Sequence, residues 1–308
     1  MKTCIYIPNF NGERHLDRVL RALREQTVGA EVVVADNGST DGSAELVRGE
    51  FPEVRLLELG ENLGFGRALN RAIEAHPADA VILLNNDTQP EPRFVEALLD
   101  GLGPGIDSVA GVLLQERAPE LIDSAGVLAD RTAMGFDHLH GEPATVLASA
   151  ADPLGPTGGA ALYRREAFAA VGGFDERIFL YYEDLDLALR LASAGGRCRL
   201  APEARALHAY SASLGARSGA KFARTGWSRG YLLRRYGVMR APTGAARVLL
   251  VEGAICAGQL VKARTTAGLR GRVRGYRAGA GLPRRELPAT GLFEISPLEA
   301  LRHRAGRG

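Results

Sequence analysis

Cysteine is scarce in this chain of 308 residues: Cys4, Cys198 and Cys256 are the only three, and no two lie at a paired spacing. That excludes a disulfide scaffold and a cysteine-rich zinc site, and it suits a reducing compartment. Lysine is rarer than arginine to an unusual degree, with Lys2, Lys221 and Lys262 alone. Beside abundant alanine and glycine, this reflects a GC-rich genome and is no sign of RNA binding. The first residues lack the basic-then-apolar pattern of a signal peptide. No uninterrupted apolar run reaches the roughly 20 residues of a membrane span. The best candidate, residues 248–261, is interrupted by Glu252 and Gln259. No internal repeat is present. The expectation is a soluble or peripheral cytoplasmic protein, with 46% hydrophobic and 24% charged residues giving an ordinary globular composition.

The net charge of +2 conceals an asymmetry. Residues 1–203 carry 18 Lys and Arg against 32 Asp and Glu, whereas residues 204–308 carry 20 against 4. An acidic body and a basic C-terminal region suit a catalytic domain attached to something that meets an anionic surface.

The first hundred residues alternate regularly. Apolar runs at 4–7, 32–35, 54–59 and 80–84 read as strands, the last of the fully buried parallel kind. Between and after them, amphipathic stretches at 13–26, 41–51, 68–75 and 91–102 read as helices. This predicts a doubly wound α/β sheet. In such sheets ligands bind beyond the carboxyl ends of the strands. Asn9, Asp36, Asn62 and Asp87 all directly follow strands in this reading, so one site built from four loops is expected. Beyond a strand at 109–114, residues 116–151 read as loops and short strands. Residues 155–163 return to strand, 183–194 form an amphipathic helix, and 197–201 form a further strand. From about residue 220 the chain is arginine-rich and helical, and beyond 279 it reads as a loose tail. The expected division is 1–215 for the catalytic domain, 216–278 for a basic helical region and 279–308 for the tail.

Taken singly, the chemical candidates are weak. Glu183-Asp184 opens a helix, and Asp184 shares a face with Leu187, Ala188 and Leu191, which points it inward as a candidate general base. An isolated Glu-Asp pair is as readily a helix cap with an exposed Glu183. Asp186 and Arg190, four apart, read as a surface ion pair. Asn85-Asn86-Asp87 offers a carboxylate to a divalent cation, or is merely a turn. His208 is a candidate further metal ligand, or a packed histidine. Gly64-Phe65-Gly66 is no dinucleotide fingerprint, because Leu69 occupies the third glycine position.

The motifs gain weight as an ordered series. Ile7-Pro8-Asn9-Phe10-Asn11-Gly12 is followed by Asp36-Asn37-Gly38-Ser39-Thr40-Asp41-Gly42-Ser43, Gly60-Glu61-Asn62-Leu63-Gly64-Phe65 and Leu84-Asn85-Asn86-Asp87-Thr88. Then come Gly158-Gly159-Ala160, Gly172-Gly173-Phe174-Asp175-Glu176 and Tyr181-Tyr182-Glu183-Asp184-Leu185-Asp186. Over residues 3 to about 215 this series resembles the family-2 glycosyltransferases of GT-A fold, notably the bacterial rhamnosyltransferase-like members that build cell-surface polysaccharide.

The resemblance implies a nucleotide-sugar pocket formed by Pro8, Asn9, Asp36, Asn62, Gly64, Asn86 and Asp87. Asp87 would be the metal-binding end of the family's Asp-x-Asp element, whose first position is here the neutral Asn85, with Mg or Mn as the cation and His208 beside it. Asp184 matches the catalytic base and Glu183 its neighbour. The implied reaction is inverting displacement, in which an acceptor hydroxyl deprotonated by Asp184 attacks the anomeric carbon. No enzyme nucleophile is needed, consistent with the lack of a Cys/His or Ser/His arrangement. The acceptor would be a glycan or lipid-linked. The only tryptophan, Trp227, lies in Arg224-Thr225-Gly226-Trp227 and not in the Gln-x-x-Arg-Trp element of processive members, so addition of one or a few sugars is expected. A nucleotidyltransferase is disfavoured because residues 8–14 hold one basic residue, Arg14. A non-catalytic binding relative is disfavoured by Asp87 and Asp184.

No nucleic-acid partner is expected. The basic region, with Arg234-Arg235, residues 270–277 and Arg284-Arg285, would meet the cytoplasmic face of an anionic membrane. There Val248-Leu249-Leu250-Val251 and Ile255 would supply an apolar helical face. Packing on the catalytic body, or formation of a homodimer, is the alternative.

Overall fold

A computed structural model describes residues 1–209 and 218–305. Its N-terminal half follows the expected alternation: β1 (Thr3–Asn9), α1 (Glu13–Arg24), β2 (Glu31–Asp36), α2 (Ser43–Glu50), β3 (Arg55–Glu58), α3 (Phe65–Ala75), β4 (Ala80–Leu84), a short β5 (Thr88–Pro90) and α4 (Phe94–Gly101). Then follow β6 (Ser108–Gln115), β7 (Ala118–Ser124), β8 (Val127–Ala129), β9 (Gly135–Asp137), β10 (Ala160–Arg164), α5 (Arg165–Ala170), α6 (Glu183–Ser193) and β11 (Cys198–His208). The C-terminal region is helical: α7 (Gly219–Arg235), α8 (Pro242–Ala263), α9 (Ala267–Ala278) and α10 (Pro297–Ala305). The expected boundary at 215/216 lies outside the described residues.

The main sheet runs β3-β2-β1-β4-β10-β6-β11-β5, with β7 added to β6. Strands β3, β2, β1 and β4 are parallel, as the strand–helix alternation requires. The other half is mixed: β10 runs antiparallel to both neighbours, and β5 runs antiparallel to β11. Side-chain alternation along the central strands divides the core in two. Ile5, Ile7, Val34, Ile82 and Leu84 face α1, α2 and α4, while Cys4, Tyr6, Val33, Val81 and Leu83 face α3 and α6.

The C-terminal third is helical, and it takes the alternative arrangement, packed on the catalytic body. Tyr231, Leu232 and Leu233 of α7 join Leu185, Ala188 and Leu189 of α6 in a third apolar cluster, so these helices pack on the catalytic body. Helices α7 and α9 approach backbone to backbone through glycines. A Cβ at Gly230 would strike the carbonyl of Arg272, and one at Gly275 the carbonyl of Trp227. The tail is not loose. Arg285 N–H donates to the Arg235 carbonyl (2.8 Å) and Phe293 N–H to that of Ala129 (2.7 Å). Arg285 also reaches Asp175 Oδ2 at 2.7 Å and is hydrogen-bonded to Asp186 Oδ1. Asp186 is therefore fully buried, and its bond to Arg190 (2.9 Å) is an internal pair where a surface one was expected.

Helix α8 is longer than the sequence suggested. Its 22 residues are long and apolar enough to cross a membrane by length and composition. Val248 and Val251, expected on the free face, instead turn inward. Leu249, Leu250, Leu260 and Val261 are exposed. Leu249 and Leu260 are eleven residues apart, as are Leu250 and Val261, so about three turns separate each pair and the four form one broad stripe.

Candidate active site

The parallel register places Asn9 beside Asp36 at the carboxyl ends of β1 and β2. Asn9 Nδ2 donates to Asp36 Oδ1 (3.1 Å), and Asn9 Oδ1 accepts from Asn86 Nδ2 (2.7 Å). Asp36 also accepts from the hydroxyl (2.5 Å) and backbone N–H (3.0 Å) of Ser39, which fixes the turn after β2. Pro8 pairs with Ala35 one step earlier in the same ladder. Asn62 caps its own loop by accepting from Gly64 N–H (3.0 Å). Gly64 has φ +85°, and a Cβ there would strike the Phe179 carbonyl, so only glycine lets this loop meet the segment before α6. That junction is closed by Phe65 N–H donating to Phe179 O (2.9 Å). The loops of Asn9, Asp36 and Asn86 are thus tied to one another, and the 62–64 loop, bonded to Asn37 beside Asp36, meets the segment that carries Glu183-Asp184.

Tyr181 and Tyr182 both take left-handed backbone conformations, with φ of 70° and 71°. Such strain in bulky residues persists only where surrounding structure imposes it. It turns the chain so that α6 begins with Asp184 facing Gly158. Asp184 Oδ2 accepts from Gly158 N–H (3.2 Å), and Oδ1 accepts from Leu185 N–H (2.7 Å). The next residue, Gly159, lies against Asn85: its carbonyl accepts from Asn85 N–H (3.3 Å). The Gly158-Gly159 turn therefore ties Asp184 to the loop of Asn85, Asn86 and Asp87.

Burial raises the Asp184 carboxyl above the usual range, opposed by the two N–H donors. Glu183, also buried and not the exposed cap residue of the simpler reading, is pushed to about 8, first by burial and then by the Asp184 charge. Its Oε2 has no hydrogen-bond partner among the described residues. The two adjacent carboxyls differ in surroundings: two N–H donors favour the ionised form of Asp184, whereas Glu183 Oε2 has no donor among the described residues, so of the pair Asp184 is the better placed to carry the charge.

Asp87 follows β4, where its Oδ1 is buried and accepts no hydrogen bond among the described residues. His208, the last residue of β11, pairs with Thr88 of β5, which brings its Nε2 to 3.4 Å from that oxygen, an ion-pair distance. His208 Nδ1 is 2.6 Å from Asp123 Oδ2. Burial lowers the affinity of His208 for a proton, but the two carboxylates outweigh it and raise the pKa to about 10. A buried carboxylate oxygen and an imidazole nitrogen, here held as an ion pair, supply the oxygen and nitrogen donors that one side of a divalent-cation site uses. Among the described residues no group of three or more His, Cys, Asp or Glu could hold a metal by itself. Asp123 carried no sequence signal. It is the extra residue of a bulge, where Leu113 pairs with Ser124 but Leu114 with Ile122, and such bulges re-aim side chains.

A mixed α/β sheet with polar loops at its strand ends, tied to a half-buried carboxylate at a helix start, is the arrangement of the GT-A class of glycosyltransferase. The family model for "Glycosyl transferase family 2" matches residues 4–172, and the chain belongs to that family. It is a glycosyltransferase, which removes the nucleotidyltransferase and non-catalytic alternatives. It is similar to N-acetylglucosaminyl-diphospho-decaprenol L-rhamnosyltransferase of Mycobacterium tuberculosis, at 36% identity over 65% of this chain and 74% of that protein. The succinoglycan biosynthesis protein ExoA of Rhizobium meliloti is 33% identical over 63% of this chain and 58% of its own length. Among solved structures, the Pyrobaculum calidifontis mannosyltransferase PcManGT with GDP-Man and Mn2+ aligns at TM-score 0.56 and 19% identity, covering 99% of this chain and 79% of that one. GalNAc-T7 with UDP, GalNAc and Mn2+ aligns at 0.63 and 14% identity, covering 92% and 55%.

Proposed function

We propose that this glycosyltransferase carries out inverting transfer of one sugar, with rhamnose the first candidate, from a nucleotide-sugar donor to a lipid-linked acceptor in cell-surface polysaccharide synthesis. The observation that carries it is the tie through Gly158-Gly159, which links the Asp184 carboxylate to the Asn85-Asn86-Asp87 loop. Asn9, Asp36 and the 62–64 loop would hold the nucleotide. Asp87 and His208 would hold a divalent cation, which when bound neutralises charge on the leaving diphosphate. Asp184 would take the proton of the acceptor hydroxyl. The rhamnosyl and lipid-diphosphate elements rest on the 36% identical relative, whose name contains both. A panel of nucleotide sugars, assayed for slow release of nucleoside diphosphate and for transfer to polyprenyl-diphosphate sugar, tests the reading. Transfer from a nucleotide sugar to a water-soluble glycan, with none to the lipid, would remove the lipid assignment.

Activity should disappear in excess chelator and return with Mn2+ or Mg2+. Asp87→Ala should weaken nucleoside-diphosphate binding in the presence of metal and change it little in its absence, as titration calorimetry would read. Full turnover in chelator would reject a required cation, and the neutral Asn85 is the feature that gives that outcome weight.

We further infer a peripheral position on an anionic membrane, on the cytoplasmic face, a reading supported by the exposed residues of the C-terminal helices. Helix α8 exposes Leu249, Leu250, Leu260 and Val261. Helix α9 leaves Arg270, Arg274 and Arg277 exposed, with Leu269 and Val273 among them. An apolar stripe next to basic residues suits the lipid interface, where each basic residue contributes on the order of 1 kcal/mol. The full chain should sediment with anionic vesicles at low salt and much less at high salt. Replacing Leu249, Leu250, Leu260 and Val261 together by serine should abolish sedimentation. Unchanged vesicle binding would reject α8 as the contact, and a shift from dimer to monomer instead would make the stripe a homodimer interface.

A further inference from the structure

We infer that Asp123 is a positioning residue for the metal site, holding His208 so that its Nε2 faces Asp87. This rests on the proposal that Asp87 and His208 hold a divalent cation. Strand β7 supplies Asp123 at its bulge, and its Oδ2 accepts from His208 Nδ1 at 2.6 Å. Without a cation both ring nitrogens face carboxylates, Nδ1 that of Asp123 and Nε2 that of Asp87 at 3.4 Å, and holding Nδ1–H on Asp123 makes Nε2 the ring atom that would turn to a bound cation. Asp123 is itself held. His140 Nδ1 lies 2.7 Å from the Asp123 carbonyl and 3.5 Å from its Oδ1, and the Asp123 side chain is only 9% exposed. The chain His140–Asp123–His208–Asp87 thus runs from strand β7 and the loop after β9 to the ends of β11 and β4. With a short ligand set and a neutral Asn85 in place of a second carboxylate, ring orientation at His208 carries more of the metal affinity than it would in a site with three acidic ligands.

The test is Mn2+ affinity, read by electron paramagnetic resonance of free Mn2+, in the full chain with the nucleoside diphosphate that binds best among UDP, GDP and dTDP. Asp123→Ala should raise the Mn2+ dissociation constant by ~10–100-fold, the usual effect of losing a carboxylate behind a metal-bound histidine. Asp123→Asn, which retains an oxygen acceptor for Nδ1–H, should stay within a few-fold of wild type. The double variant Asp123→Ala/His208→Ala should be no worse than His208→Ala, because the carboxylate acts through the ring. A merely structural role would lower the melting temperature of the metal-free protein and leave Mn2+ affinity intact, which overturns the inference. Additive losses in the double variant overturn it as well. Should His208→Ala itself bind Mn2+ normally, the ligand assignment fails first, and the inference goes with it.

Discussion

Asp184→Asn should lower kcat by ~10²–10⁴-fold while leaving the affinity for nucleoside diphosphate nearly unchanged, since the amide matches the carboxylate in size but cannot take a proton. The structure sharpens the expectation. Asparagine keeps one acceptor oxygen where aspartate has two, so with that oxygen on Gly158 N–H the tie to Gly158-Gly159 should survive and only the bond from Leu185 N–H is lost. Glu183 gives the contrast. It is held protonated, pushed to about 8 by burial and the neighbouring charge, so Glu183→Gln replaces one neutral group by another of like shape and should cost far less activity. The pH profile follows with its sign. A base must be ionised to act, and burial raises the Asp184 carboxyl, so activity should rise with pH along a limb displaced upward from that of an ordinary aspartate. In Glu183→Gln that limb should stay where it is, because a protonated Glu183 places no charge beside Asp184. Asp184→Asn activity within a few-fold of wild type would remove the residue from the chemistry.

The parallel half of the sheet and its loops were legible because local signals suffice there. Runs such as 80–84 are apolar throughout, and the polar residues that end them, among them Asn9, Asp36 and Asp87, sit where doubly wound sheets bind ligands. What escaped reading depends on contacts between distant parts of the chain. Asp123 acquires its place through a bulge and a partner 85 residues away. The Asp186–Arg190 spacing was visible, but not that the C-terminal segment would cover it through Arg285. Charge counting treated the C-terminal arginines as one population facing an anionic surface. In the structure they divide: Arg229 and Arg235 are buried, Arg272 and Arg285 are paired with carboxylates, and Arg270, Arg274 and Arg277 remain exposed. Composition supplies the total, and only packing tells which charges are available to a membrane.

Glu252→Leu should destabilise the protein by about 3–5 kcal/mol, because it strands two guanidiniums that have no other carboxylate in contact among the described residues. Glu252 lies on the inner face of α8, only 5% exposed. Its Oε1 accepts from Arg229 Nε of α7 (2.5 Å) and its Oε2 from Arg272 Nε of α9 (2.7 Å), so one side chain joins all three helices. Arg229 extends the junction to the catalytic body by donating to the carbonyls of Thr132 (2.8 Å) and Ala133 (2.7 Å). Burial alone would raise the Glu252 carboxyl, but Arg229 and Arg272 outweigh it and hold the pKa at about 2, against an ordinary value of 4.5. A depressed folded-state value means stability that is fully present above the unfolded pKa and lost as pH falls through the folded one. Wild type should therefore lose this contribution between about pH 4.5 and pH 2, and Glu252→Leu should lack that part of the acid transition. Urea midpoints at pH 7 and pH 3 measure both effects, and they should differ less in the variant than in wild type. Replacing Arg229 and Arg272 by methionine together with Glu252→Leu should restore most of the midpoint, since a buried ionic cluster exchanged whole for apolar residues is often neutral or stabilising. A single variant as stable as wild type, with an unaltered acid limb, would mean that α8 is held on the body by its apolar face alone.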